Sequence, residues 1–421
     1  MDTKSSFRRV LKAGIVAFLA AMGPPSYADI LESPRKISYQ ALKLRNDAMF
    51  KAQARLGTNL IKRLARSKQD DENVGVSPAS VASIFSFIEL GSSDDMRSAI
   101  HRTLGFPSVS KGRVSQDIKE LRSRVSTTIA SSTKDSPASM ANLLVFDPST
   151  EPKQLSLLGL SGAGADVLID DLAATETVDR INQWVRKRTH DLIPSILGEA
   201  PATLGLVAIN VLYFKDKGKT PFDAARTERA SFTPKSGKAI DVMMMHSPVT
   251  RFSFRENDRF IAAELPYANN EFKLVIVTNK SKPTGRDELA TVADWLLGDG
   301  FDGSNGEILL PKLAITVNEE MLEALDRLGL RKARLESRSL REFSQASLTI
   351  SRVFQKLELR VDEEGTEGAA ATTVIATRSI APYQHVKMVV DKPFLFALRD
   401  QRTGFILFMG YIGSPQRLAS K

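Results

Sequence analysis

Residues 357–382 read LELRVDEEGTEGAAATTVIATRSIAP, and the middle of this stretch fits neither a regular strand nor an ordinary loop. Its first five residues alternate apolar and polar side chains, which predicts a half-buried strand. The residues from Gly368 to Thr377 are uncharged and mostly small, as in a flexible linker, but they include the β-branched run Thr373-Val374-Ile375, which favours a strand. The stretch therefore predicts a loop that is able to become a strand.

Residues 391–410 read DKPFLFALRDQRTGFILFMG, two apolar runs joined by a polar, Gly-containing turn, which predicts a buried hairpin. Together with the preceding stretch, this tail resembles the serpin family of serine protease inhibitors in the order and spacing of its parts. The resemblance implies an α+β fold with three β-sheets, about eight or nine helices and an exposed reactive-centre loop at about residues 363–386. The hinge of that loop would comprise Glu363, Glu364, Gly365, Thr366, Glu367, Gly368, Ala369, Ala370, Ala371 and Thr372.

Further landmarks extend the resemblance through nearly the whole chain, and the first concerns two serines. Ser77-Pro78 is typical of a helix start, with Ser as the N-cap and Pro at the first helical position. The following run to Leu90 is apolar on nearly all sides, which predicts a buried helix. In the family this helix lies beneath the central sheet, so Ser77 and Ser80 would donate hydrogen bonds to its strands where the sheet opens. The alternative is that both serines only cap the helix.

Two amide side chains complete the sheet latch that the resemblance implies. Asn210 lies within an otherwise apolar run, and an unsatisfied buried amide costs about 1–3 kcal/mol, so Asn210 must find partners. In the family this Asn belongs to the hydrogen-bond cluster that holds the sheet closed. Gln355 stands where many members have a His of the same cluster. A Gln donates and accepts as a His does, but it does not titrate near neutral pH.

Two departures from the family pattern bear on loop insertion. The family usually has a Trp shortly before the pair Pro221-Phe222, where this chain has Lys217-Gly218-Lys219. The top of the central sheet is therefore predicted to be less filled. Gly368 replaces the usual Ala at a cost in strand propensity. These departures favour, as an alternative, a non-inhibitory serpin that acts as a binding or folding-assistance protein.

The alternation of side chains within the loop supports insertion into a sheet. In an extended strand, alternate side chains face opposite sides. One of the two sets is entirely small or apolar, so it could face a core without burying a charge: Thr366, Gly368, Ala370, Thr372 and Val374. The resemblance implies a suicide mechanism, in which a target serine protease cuts the loop, is held as a covalent acyl complex, and the loop inserts as a central strand.

The bond that the protease would cut is predicted to be Arg378-Ser379. With the common hinge length of the family, counting from Glu363 places Ser379 before the cut. A shorter hinge variant places Arg378 there. Arg378 is favoured because a guanidinium suits the acidic specificity pocket of trypsin-like proteases. A cut beside Thr377 or Ser379 would instead indicate elastase- or subtilisin-like targets.

Residues 1–28 carry an export signature. Four basic residues precede ten apolar residues at 13–22, and Ser26-Tyr27-Ala28 offers small residues for a signal peptidase. Ten apolar residues are too few for a membrane span, which needs about 20. The sequence thus predicts a cleaved signal peptide and one serpin domain at residues 29–421, secreted outside the cell or into a periplasm as a monomer without membrane contact. The chain has no Cys, so its core alone must hold it together.

Loss of residues 1–28 lowers the formal charge from +9 to +6, because the segment holds four basic residues and one acid. This modest charge suits weak polyanion binding but does not indicate a nucleic-acid partner, since basic clusters interleaved with aromatic residues are absent from the sequence. One basic run would either bind a polyanionic activator or form a solvated helix face, and the second interpretation is favoured. Its residues are Lys111, Arg113, Lys119, Arg122 and Arg124.

An exported protein could equally be a hydrolase, but the sequence lacks the catalytic signatures of that class. The run at 159–163, GLSGA, lacks the second Gly of a nucleophile elbow. Two Ser-x-x-Lys matches have no Lys-Thr-Gly partner. The four histidines are scattered, and without Cys no zinc spacing is present, so the sequence predicts neither a metal nor a cofactor. An enzyme is therefore disfavoured relative to a protease inhibitor.

Overall fold

A computed structural model describes residues 48–106, 117, 119–125, 137–268, 270–363 and 385–415. All described residues belong to the unit formed by residues 44–421. The predicted signal peptide, the hinge residues from Glu364 to Thr372 and the reactive bond Arg378-Ser379 lie outside the described residues. Of the predicted hinge, only Glu363 is described.

Eight α-helices have defined bounds in the part of the chain that the structure describes, in agreement with the predicted α+β class. In chain order they are α1 Ala48–Leu64, α2 Pro78–Ile88, α3 Asp94–Thr103, α4 Gln154–Gly162, α5 Thr175–Arg188, α6 Ala293–Leu296, α7 Leu322–Leu325 and α8 Arg331–Arg334. Residues 117 and 119–125 are also helical. All eleven residues of α2 are buried, as its uniformly apolar sequence predicts.

Fifteen strands have defined bounds in the same ranges. They are β1 Val74–Val76, β2 Ala138–Phe146, β3 Asp166–Ile169, β4 Leu206–Phe214, β5 Asp223–Phe232, β6 Ile240–His246, β7 Thr250–Glu256, β8 Phe260–Pro266, β9 Phe272–Asn279, β10 Asp302–Pro311, β11 Leu313–Glu320, β12 Ile350–Val361, β13 Val386–Val389, β14 Phe394–Asp400 and β15 Ile406–Ile412. The buried hairpin predicted from the sequence corresponds to β14 and β15, which pair antiparallel.

Five strands form one sheet in the order β11-β12-β4-β2-β3. Alternate side chains of its central strands face opposite layers. On one face, Val207 and Ile209 of β4 pack with Val178 and Ile181 of α5. On the other face, Leu212 belongs to the main core, which also contains the buried residues of α2. The five-stranded sheet therefore lies between α5 and α2.

Ten strands form a second array, in the order β1-β15-β14-β9-β8-β7-β10-β6-β5, with β13 also pairing with β10. Strand β10 belongs to two parts of this array: it pairs with β7 through Gly306, with β13 from Gly306 to Leu309, and with β6 from Leu309. The family fold predicted from the sequence has three sheets: the five-stranded sheet and the two parts of this array, taken as separate sheets. In the structure the continuous strand β10 joins them.

Gly306 stands where the two parts of the array meet. A Cβ atom at this position would collide with the backbone oxygen of Val386, so a side chain does not fit. Within the described ranges, every helix is too short or too polar to span a lipid bilayer.

Candidate functional site

The centre of the five-stranded sheet contains a parallel seam between β4 and β12. Its register runs from Ile350 opposite Leu206 to Leu359 opposite Phe214, with an irregularity after Ile350. Both strands pair antiparallel with their other neighbours, β2 and β11. A strand that entered the seam antiparallel to β4 and β12 would replace one parallel ladder with two antiparallel ladders, which are slightly more stable per residue.

A row of buried amides crosses this seam at one level. Gln355 lies opposite Asn210, and Asn210 lies opposite Asn142 of β2. The Asn210 Nδ2 donates to Asn142 Oδ1 at 2.8 Å, and the Asn142 Nδ2 donates to the Ser83 hydroxyl of α2 at 2.8 Å. Gln355 Oε1 accepts from the backbone amide of Ser77 at 3.0 Å, and Gln355 Nε2 donates to the Ser77 carbonyl at 3.1 Å. Three strands are thus tied to one buried helix.

The two serines predicted from the sequence lie beneath this row, but their hydroxyls act differently from the expectation. The Ser77 hydroxyl accepts from the backbone amide of Ser80 at 2.9 Å and so caps α2, while the backbone of Ser77 makes the contact with the sheet. The Ser80 hydroxyl is buried and has no hydrogen-bond partner among the described residues, and the same holds for Asn210 Oδ1. These two groups remain available to a further strand.

Sequence reasoning missed two members of the row, Asn142 and Ser83. Asn142 interrupts an apolar strand just as Asn210 does, so the signal that identified Asn210 was present in the run from Ala141 to Phe146. Ser83 gave a weaker signal, because a Ser in an apolar helix can bond to its own backbone instead of a neighbour.

Glu363, the first hinge residue, lies just after the end of β12 and is held by contacts with Lys312, Thr227 and Phe222, which are together called the clamp. Its carboxylate Oε1 accepts from Lys312 Nζ at 2.6 Å and from the Thr227 hydroxyl at 2.7 Å. Its carbonyl accepts from the backbone amide of Phe222 at 2.7 Å. Thr227 lies on β5, and Lys312 lies between β10 and β11, so the clamp fixes the hinge to both sheets.

The clamp also shifts the pKa of Glu363. Burial raises the pKa of this carboxyl, but the hydrogen bonds from Lys312 and Thr227 and the charge of Lys312 lower it more. The net pKa lies below the ordinary value of 4.5. Glu363 is therefore charged at neutral pH, as the clamp requires.

A small apolar cavity lies beside the clamp, at the position where the sequence predicted a less filled sheet. It has a volume of about 20 Å³, and its lining includes Gly218, Phe222, Tyr267 and Val361. This volume is enough for about one water molecule. Gly218 forms an isolated antiparallel bridge with Tyr267, and both residues line the cavity.

Two arginines of the basic run already have partners. Arg122 donates to the Glu89 carboxylate and to the Ser86 carbonyl, and Arg124 donates to Glu120 at 2.6 Å and to the Thr403 carbonyl at 3.0 Å. These pairings reduce the charge that the run offers to a polyanion. Lys111 and Arg113 lie outside the described residues.

One of the four histidines is a core residue. His101 is 1% exposed, stacks on Phe106 and contacts the Asp117 carboxylate through Nε2 at 3.0 Å. Across the described ranges, no three His, Asp or Glu side chains come together as metal ligands would.

Comparison with known proteins places these features in a family. The family model described as Serpin (serine protease inhibitor) matches residues 51–415. Neuroserpin of Gallus gallus is 28% identical over 386 residues, covering 87% of this chain and 91% of that protein. An uncharacterized serpin-like protein of Methanosarcina acetivorans is 29% identical over 363 residues, covering 83% and 84%.

Two solved structures show the same fold. Native protease nexin-1 with heparin superposes with a TM-score of 0.71 at 21% identity, covering 87% of this chain and 99% of that chain. Serpin48 of the insect Tenebrio molitor superposes with a TM-score of 0.74 at 22% identity, covering 88% and 99%. The family match extends from within α1 to beyond β15 and includes the seam, the amide row and the clamp. This chain belongs to the serpin family.

Proposed function

We propose that this chain inhibits serine-type endopeptidases as a single-use suicide substrate. The observation that carries the proposal is the parallel seam between β4 and β12, whose buried amides on either side bond, directly or through Asn142, to α2, next to the clamped start of the loop. Insertion would exchange the parallel ladder for two antiparallel ladders. It would also offer partners to the unpaired Ser80 hydroxyl and Asn210 Oδ1.

The covalent step takes place on the protease. Its serine Oγ attacks the carbonyl carbon of Arg378, the amide bond to Ser379 breaks, and the protease's histidine delivers the serine proton to the leaving amine of Ser379. An ester then joins Arg378 to the enzyme. If the loop inserts faster than water hydrolyses this ester, the attached protease is moved with the loop before it can complete its normal turnover. The protease would then remain trapped as the acyl-enzyme.

The lengths are compatible with insertion. Strand β12 has 12 residues, which span about 40 Å at roughly 3.3 Å per residue. The segment from Thr366 to Arg378 has 13 residues and would span about 43 Å when extended. Arg378 would therefore arrive near Ile350, at the far end of the seam, where an attached protease would lie.

Arg378 before the cut would direct the inhibitor to trypsin-like proteases, and a cut beside Thr377 or Ser379 would direct it to elastase- or subtilisin-like ones.

The protein is proposed to act as an exported monomer after cleavage of residues 1–28. Weak polyanion binding is a secondary proposal, supported by the heparin-bound protease nexin-1 structure. A non-inhibitory binding role is the second candidate, which the cavity beside Gly218 favours because it leaves the start of the seam less tightly packed.

Mixing the purified protein with trypsin tests the proposal. A complex that survives boiling in detergent is expected, and it should be lost in Arg378→Glu but kept in the control Arg331→Glu, an exposed Arg on α8. Cleavage without complex would support the non-inhibitory candidate. A sample cleaved within the loop should melt at a higher temperature than intact protein, and equal melting temperatures would contradict insertion.

A further inference from the structure

A cavity of about 670 Å³ lies between β13 and the ends of β7, β8 and β9, away from the seam. Its volume falls within the range of about 300–1,000 Å³ that small-molecule sites occupy. Among the described strands, β13 pairs with β10 alone.

The lining of the cavity includes three apolar side chains, those of Ile261, Val386 and Val389, and one unsatisfied polar group. Ile261 and Thr278 are directly opposite each other on β8 and β9, so their side chains share a face, and both line the cavity. Thr278 is 1% exposed, and its Oγ1 has no hydrogen-bond partner among the described residues. A buried hydroxyl is normally paired, so Thr278 indicates a missing partner of this cavity.

The lining of the cavity carries three lysines, one histidine and two carboxylates, those of Glu256 and Asp391. Lys280, Lys387 and Lys392 line it, and each makes one ion pair: with Glu256 at 2.7 Å, with Glu307 at 2.7 Å and with Asp391 at 2.8 Å. An ammonium group has three donors, so each lysine keeps donors for a bound anion. His385 also lines the cavity and adds donor capacity.

We infer that this cavity binds a small amphipathic carboxylate. The apolar part of the ligand would cover Ile261 and the partly buried Val389, while its carboxylate would accept hydrogen bonds from Thr278 Oγ1 and a lysine of the lining. Such a ligand would touch β13 on one side and β8 and β9 on the other. The inference does not depend on protease inhibition, so it can fail or succeed independently of the proposed function.

Binding of sodium decanoate to the full chain, measured by titration calorimetry, tests the inference. Decanoate is expected to bind more tightly than decan-1-ol, which lacks the charge, or sodium acetate, which lacks the apolar chain. Thr278→Val should weaken decanoate at least about tenfold, as expected for a lost hydrogen bond to a charged group. The matched control is Thr103→Val, which removes another buried, unpaired hydroxyl from α3 and should leave the affinity unchanged.

A labelling experiment locates the ligand even if Thr278→Val does not fold. The chain has no Cys, so a thiol reagent reports only on a residue that is introduced. Decanoate should slow the labelling of Val389→Cys in the cavity but not of Val249→Cys, where the native Val is 57% exposed. Equal labelling with and without decanoate, equal affinity for decan-1-ol or acetate, or no binding by the unmodified protein would overturn the inference.

Discussion

Replacing Glu363 with Gln should release the clamp at the start of the loop while keeping the shape of the side chain. The carboxylate is 13% exposed and accepts two hydrogen bonds, from Lys312 and Thr227. Hydrogen bonds to a charged group contribute about 1.5–3 kcal/mol each, but Gln retains an acceptor and Lys312 is partly exposed. We therefore expect the substitution to destabilise the native state by about 2 kcal/mol.

If the protein inhibits trypsin as proposed, the rate at which it loses that inhibition on incubation measures this effect. If the clamp is broken before the seam opens, the full 2 kcal/mol lowers the barrier, and the inactivation rate should rise roughly 30-fold. The assay incubates the protein at a fixed temperature and titrates the remaining trypsin inhibition at intervals. Urea unfolding followed by circular dichroism gives the equilibrium change, which does not require inhibitory activity.

The contribution of the clamp to stability can be isolated with a second substitution at Lys312 and with a control at an exposed ion pair. A double-mutant cycle with Lys312→Met should show a coupling energy of about 1–2 kcal/mol between the two side chains. The control Glu323→Gln breaks the exposed helical ion pair with Arg327 and should change stability by no more than about 0.5 kcal/mol. Additive effects in the cycle, or an unchanged inactivation rate in Glu363→Gln, would refute the clamp.

Three further outcomes follow from the described contacts. Asn142→Ala should lower the free energy of unfolding, measured in urea, by about 2–4 kcal/mol, because the buried Asn210 Nδ2 and the Ser83 hydroxyl each lose their hydrogen bond with Asn142. The depressed pKa of Glu363 means that its stabilisation is present above about pH 4.5 and lost as the pH falls through the folded pKa, so acid should speed inactivation of the unmodified protein more than of Glu363→Gln. Arg399→Met should cost about 3 kcal/mol in the same urea assay, because the buried Glu264 keeps only its second cationic partner; unchanged unfolding would contradict this.

The sequence indicated local elements well because their signals are local. Ser77-Pro78 marked the start of α2, and the apolar runs after Lys392 marked β14 and β15. The strand predicted at 357–361 is the end of a longer strand that begins at Ile350. Its earlier part was missed because apolar and polar residues alternate less clearly there.

The contacts between distant elements could not be obtained in the same way. Glu363 and Thr227 are 136 positions apart, and only the placement of β5 beside the end of β12 brings them together. Strand β10 joins two sheets because it changes its pairing partner from β7 to β13 at Gly306. In the sequence, only the glycine itself marks this position. Asn142 differs from these cases, because it interrupts an apolar strand just as Asn210 does and so carries the same local signal.

The two ends of the loop segment are attached with unequal mechanical strength. Strand β13 is held to β10 by four residue pairs, whereas β12 is held by eight pairs to β11 and nine to β4. A pulling force applied between residues 363 and 385 would act on both anchorages equally. The shorter ladder would rupture first, so β13 would detach under tension while β12 stays in its sheet.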